Sequence, residues 1–178
     1  MILRPRSSSD LDQCVEMMRE AYDADGYPAH WPRNPRRFVA PPYELRAWVA
    51  VEPDLVVGHV ALHDGGQDPA FAVARSVAAV PDEALVAVGR LFTRPGFRGE
   101  GLGSRLLAAA VEAAHAAGGQ PFLNVLTHLG HAVSLYRREG WKDLGPLSID
   151  LGGGDLIQVL VFLGPPPPSP RVSAGREG

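Results

Sequence analysis

The segment Arg98-Gly99-Glu100-Gly101-Leu102-Gly103-Ser104 places three glycines at alternate positions behind an arginine, between a predicted strand and a predicted helix. Amides at a helix start lack internal partners and carry partial positive charge. Glycines let an anion come close to that backbone, and a guanidinium at the rim suits phosphate oxygens. The segment reads as a pyrophosphate cradle; taken alone, its residues also fit a plain structural turn. A Walker loop is excluded, because no lysine stands where that loop needs its Gly-Lys pair. Glycines at 99, 101 and 103 also miss the Gly-x-Gly-x-x-Gly spacing of a dinucleotide fingerprint.

Groups able to move a proton are scattered. Glu83 lies just before a buried strand, and His30, His59, His63 and His128 are further candidates. His59 and His63 share one strand face at i, i+4. No cysteine or carboxylate cluster joins them, so they read as solvated or hydrogen-bonded histidines and no metal is expected. The single cysteine, Cys14, forbids an internal disulfide. It reads as a buried thiol in a cytoplasmic protein.

These residues need a scaffold. The chain has 178 residues, 46% of them hydrophobic, enough for one cored domain. A formal net charge of −3 argues against a nucleic-acid partner. No apolar run approaches the ~20 residues of a membrane span, and residues 1–7 lack the apolar region of a signal peptide. Patterning predicts a strand at 2–4 and a helix at 9–23 capped by Ser9. Residues 24–44 read as a Pro- and aromatic-rich loop, a lid or substrate wall, followed by strands at 45–51 and 56–63. An insertion at 64–82 contains a short helix. A strand then spans 85–93, with Gly89 marking a bulge or a close backbone approach.

A helix from 101 to 117 follows, with Leu102, Leu106, Leu107, Ala110, Val111 and Ala114 as its apolar stripe. A strand at 121–126, a helix at 131–139 and strands at 141–151 and 156–163 complete a domain over 1–163. The Pro-, Ser- and Arg-rich tail 164–178 reads as disordered. The order β-α-loop-β-β-β-α-β-α-β-β is a mixed α/β fold.

Placed in that order, two segments resemble the signature of the GNAT superfamily of acyl-CoA-dependent N-acyltransferases. One runs from Gly89 through Arg94-Pro95-Gly96-Phe97-Arg98 to Leu107. The other is Ala132-Val133-Ser134-Leu135-Tyr136-Arg137-Arg138-Glu139-Gly140-Trp141. The resemblance implies a mostly antiparallel mixed sheet flanked by helices, with acetyl-CoA as acyl donor and no metal. Leu91, Phe92 and Thr93 would offer backbone groups to the pantetheine arm, and Arg98, Gly99, Glu100, Gly101, Leu102, Gly103 and Ser104 would hold the pyrophosphate. Tyr136 would protonate the leaving thiolate, with Glu83 a weak candidate base.

The sequence departs from the family pattern in two places. Thr127-His128-Leu129-Gly130-His131 lacks the asparagine many relatives carry there, a contact His131 or Ser134 would have to replace. The central strand also lacks a glutamate. The implied activity is N-acetylation of a small-molecule primary amine by direct attack on the thioester. A peptide or protein amine is the alternative acceptor, and a non-catalytic acyl-CoA-binding module the alternative class. The last two strands offer an edge through which a homodimer could form.

Overall fold

The computed structural model describes residues 1–168. In chain order its elements are β1 (Ile2–Pro5), α1 (Leu11–Asp25), α2 (Pro35–Val39), β2 (Glu44–Glu52), β3 (Leu55–Asp64), α3 (Phe71–Arg75), β4 (Leu85–Thr93), α4 (Leu102–Ala116), β5 (Gln120–Leu126), α5 (Gly130–Arg138), β6 (Lys142–Asp150) and β7 (Leu156–Leu163). The strands form one sheet in the order β1-β2-β3-β4-β5-β7-β6. Every neighbouring pair is antiparallel except β4 and β5. The expected mixed, mostly antiparallel α/β fold is the observed one.

The first helix starts later than its pattern suggests. A 3-10 turn, Ser8–Asp10, precedes it. Asp10 accepts hydrogen bonds from the Ser7 amide at 2.7 Å and from Arg4 at 2.8 Å on each carboxylate oxygen. Ser7 rather than Ser9 therefore opens the element, because Asp10 closes the box back onto it. Gly26, at φ 73°, ends α1 in the left-handed conformation. Within the expected loop 24–44, Asn34 accepts from the Arg37 amide at 3.0 Å and Pro35 stands first in α2, so a short helix forms there.

Helices cover both sheet faces. Cys14, Met17 and Met18 of α1 pack with Val49, Val56 and Phe92 on one face. Leu102, Leu106, Leu107 and Ala110 of α4 pack with Val60, Leu62, Val88 and Leu123 on the other. The insertion supplies α3, whose Ala74 joins Ala87, Phe122 and Val161 in a third cluster. Cys14 is fully buried, and burial pushes its thiol up to about 12. Past the expected domain end at 163, the Gly164 amide donates to Pro121 O at 2.8 Å and Gln120 donates to Gly164 O at 2.9 Å. The sheet thus holds the chain beyond that boundary. Residues 169–178, most of the tail expected to be disordered, lie outside the described residues.

Two features of the central strands shape the site. β4 and β5 pair over three register positions only, Leu85–Gln120, Val86–Pro121 and Ala87–Phe122. Beyond them the strands part, and the facing edges lose their ladder partners. Within β4, Gly89 pairs Ala61 and Phe92 pairs His59, so Arg90 and Leu91 together oppose Val60 in a bulge. Arg90 takes φ 55° there. A bulge bends a strand and re-aims its side chains.

Candidate active site

A cavity of about 420 Å³ opens where β4 and β5 part. Its walls come from both sides of the sheet: the end of α1 and the following loop, the end of β3, β4 from Val88 to Thr93, β5, and α5. Leu91, Phe92, Thr93, Arg98, Gly103 and Tyr136 all line it.

The glycine loop lies at one end. The first backbone bond of α4 runs from the Arg105 amide to Gly101 O at 3.1 Å, which leaves the Leu102, Gly103 and Ser104 amides ahead of it without intrahelical partners. Gly99 and Gly101 have φ 87° and 75°, with open space where a Cβ would stand. That backbone suits a phosphate chain. Individual side chains have other duties. Leu102 is buried in the core, Glu100 is exposed, and the Ser104 hydroxyl donates to Glu139 at 2.7 Å. Arg98 lies 2.9 Å from Asp25 and so ties the loop to the end of α1. His131 stands 3.6 Å from the same carboxylate oxygen, while Ser134 is exposed.

Tyr136 sits deep in the site, 5% exposed, with ring centroids 5.9 Å from Trp141 and 5.6 Å from Phe162. Burial pushes its phenol above the ordinary range, and the neighbouring Tyr27 adds to the shift.

Glu83 does not reach the cavity. It lies exposed on the 3-10 turn Asp82–Ala84, ahead of the end of β4 that is paired with β5, whereas the cavity begins at Val88. The proton-accepting groups on the wall come from other elements. His63, near the end of β3, fills the space over Gly89 and stacks edge-on against Tyr43 at 5.3 Å. Its Nε2 is buried without a hydrogen-bond partner among the described residues. Burial first, and then the charges of Arg90 and Arg6, push its imidazole down to about 3.

Asp68, from the insertion, accepts from the Ala70 amide at 2.8 Å and from Asn124 at 3.0 and 3.2 Å. Burial raises its carboxyl above the usual range, and those hydrogen bonds hold the rise back. His30 lines the cavity as well, 2.9 Å from Asp155.

The remaining histidines are structural. His59 is fully buried, with Nδ1 2.8 Å from Arg90 O and Nε2 2.9 Å from an Arg6 nitrogen. Arg6 in turn pairs with Glu44 at 2.7 Å. An arginine cannot accept, so His59 is the neutral tautomer that donates from Nδ1 and accepts at Nε2. His128 Nε2 lies 3.2 Å from Asp25 O and ties the loop after β5 to the end of α1. No cluster of metal-ligating side chains occurs among the described residues.

Sequence reasoning missed Arg90, Asp68 and Asn124, whereas Tyr27, Phe38 and Tyr43 on the cavity wall come from the loop read as a lid or substrate wall. Only the bulge at Arg90, at a position where β-period alternation fails, offered a signal, through Gly89.

No curated protein matches the sequence. Among solved structures, Arabidopsis thaliana NAA60 in complex with a bisubstrate analogue is similar at 20% identity and TM-score 0.69, over 91% of this chain and 95% of that one. YncA from Salmonella typhimurium with its cofactor acetyl-CoA is similar at 14% identity and TM-score 0.64, over 92% of each chain. The ribosomal-protein-S18-alanine N-acetyltransferase of Escherichia coli is similar at 12% identity and TM-score 0.66, over 97% of each chain. These likenesses bear on the fold. The sequence model of the acetyltransferase (GNAT) family matches residues 11–141, a span that holds β4, the glycine loop, α4 and the tyrosine-bearing α5 around the cavity. The chain belongs to the acetyltransferase (GNAT) family.

Proposed function

We propose that the chain transfers an acetyl group from acetyl-CoA to a primary amine of a small molecule. The observation that carries this reading is the cavity in the parting of β4 and β5, with open helix-start amides at one end and Tyr136 deep inside. Acetyl-CoA supplies a thioester carbonyl that an amine can attack directly. The loop from Gly99 to Ser104 holds the phosphates, and the unpaired edge of β4 from Leu91 to Thr93 offers backbone groups to the pantetheine arm. A β4 amide pointing at the carbonyl oxygen would stabilise the charge that builds there.

The new bond joins the amine nitrogen to the carbonyl carbon, and the bond from that carbon to sulfur breaks. A thiol has a reference pKa of ~8.5 and a phenol ~10. Burial lifts Tyr136 further, so its hydroxyl acts as a hydrogen-bond donor to the leaving sulfur. The attacking nitrogen sheds the proton that completes the thiol. An alkyl ammonium must first lose a proton, at a cost of about 4–5 kcal/mol at neutral pH. Solvent takes that proton, and His63, held neutral on the cavity wall with its Nε2 unpaired among the described residues, accepts a hydrogen bond from the uncharged amine. Tyr27, Phe38 and Tyr43 wall the acceptor end, and this enclosure favours a small amine over a folded protein.

Calorimetric titration with acetyl-CoA, beside an Arg98→Ala, Gly101→Glu double variant, tests the donor site. Micromolar binding that disappears in the variant is expected. Absence of binding by the intact protein would remove the proposal.

A further inference from the structure

Building on that acetyl-transfer reading, we propose that the acceptor is a small zwitterion, an amine that also carries a carboxylate, and that Arg90 binds the carboxylate. Arg90 stands in the β4 bulge with φ 55°, a conformation a non-glycine residue rarely adopts. Such strain persists where the fold over-determines it, and it is concentrated at ligand sites. Here the bulge brings Arg90 to the cavity wall.

Its surroundings fix its orientation and leave its charge unanswered. Nε donates to Phe38 O at 2.8 Å, and the guanidinium carbon lies 3.6 Å from the centre of the Phe38 ring. The Tyr27 hydroxyl lies beside it. These contacts hold the plane of the fork and leave most of its five N–H groups for a ligand. No carboxylate comes within ion-pairing distance of Arg90 among the described residues. The other shielded arginines differ: Arg6 holds Glu44 at 2.7 Å, and Arg94 holds Glu20. A sheltered charge without a partner is unfavourable, and the cavity is the side from which a partner can arrive. A guanidinium fork matches a carboxylate with two parallel hydrogen bonds.

The same cavity carries groups suited to an amine. The Asp68 carboxyl, oriented by Asn124 and the Ala70 amide, and the neutral imidazole of His63 both line it together with Arg90. A small molecule with an anion at one end and an amine at the other meets both. A simple amine or a polycation would leave Arg90 uncompensated, and a peptide N-terminus holds its terminal carboxylate too far away.

The test is release of CoA thiol from acetyl-CoA with α-, β- and γ-amino acids, each set beside its carboxamide, its decarboxylated amine and a dipeptide that begins with it. At least one acid should be preferred over its carboxamide tenfold or more in kcat/KM. Arg90→Gln should bring that ratio to about one, mainly through KM for the acid, and Arg90→Lys should recover part of it. Acetyl-CoA affinity, measured on each variant by calorimetry, reports whether it is folded. Carboxamides, plain amines or dipeptides accepted as well as the acids would overturn the zwitterion and leave acetyl transfer standing. A preference unmoved in Arg90→Gln would overturn the role of Arg90. Acetyl-CoA bound but no amine of any kind acetylated would instead overturn the transferase reading beneath it.

Discussion

Gly89 leaves the space that His63 fills: a Cβ at position 89 would stand 2.7 Å from His63 Cε1 and 2.8 Å from Nδ1. Gly89 has no positive φ, so the constraint is steric alone. Gly89→Ala should push the imidazole off its place and destabilise the protein by about 1–3 kcal/mol, as overpacking does. Gly89→Ala with His63→Ala should recover most of that loss, a coupling that chemical denaturation of the four proteins would measure. Additive losses would show that the two positions do not share the space.

Tyr136→Phe keeps the ring packing on Trp141 and Phe162 and removes only the hydroxyl. Turnover should fall by about 100-fold, the lower range for loss of a hydrogen-bond donor to a developing charge, with acetyl-CoA affinity little changed. Because burial raises the phenol above its ordinary range, the intact enzyme should show no loss of rate from tyrosine ionisation up to about pH 10. A pH–rate profile of both proteins checks this. Equal rates across pH would remove Tyr136 from the chemistry.

Gly101 caps α4 at φ 75°, with nothing within 4 Å of where a Cβ would stand. A β-branched side chain would fit the space and oppose the backbone. Gly101→Val should cost about 1–2 kcal/mol in stability and weaken acetyl-CoA binding by tenfold or more. Gly101→Asn, which tolerates this conformation better, should do less on both counts. Thermal unfolding and calorimetry separate the two effects.

His59 and His63 are both pushed down to about 3, chiefly by burial. An unfolded chain titrates these histidines near ~6.5. Between the two values the unfolded state binds more protons, so stability rises with pH there. The contribution is complete above about pH 6.5 and is lost as pH falls toward 3. Each histidine should steepen the decline by about 1 kcal/mol per pH unit below pH 6. His63→Gln should flatten the slope of unfolding free energy between pH 6 and 4.5, and an unchanged slope would contradict the neutral, buried state.

The glycine loop and Tyr136, which the structure brings to one cavity, were legible because their signal is local. Gly99, Gly101 and Gly103 announce a backbone that needs left-handed or side-chain-free positions, and Tyr136 sits in a recognisable helix. The succession of strands and helices along the chain followed from apolar patterning and turn residues. The acceptor end was not legible, since its groups meet only through tertiary structure. Arg90 enters the cavity by way of a bulge, and arginine is not a residue type that marks positive φ. Asp68 comes from an insertion without periodic pattern, and Asn124 from a strand that reads as core. Glu83 drew attention by its nearness in sequence to β4, but the part of the strand paired with β5, Leu85 to Ala87, separates it from the cavity. His63 was one of five candidates for proton transfer, and only the absence of a side chain at Gly89 distinguishes it.

The three register pairs between β4 and β5 leave the sheet close to two half-sheets sharing a short seam. Any extended molecule lodged in the gap takes the place of the missing rungs and fastens the halves together. A donor that binds there is therefore a temporary strand of the protein as well as a reactant. Each turnover removes it, so rigidity across the seam should rise on loading and relax on product release, in step with the reaction.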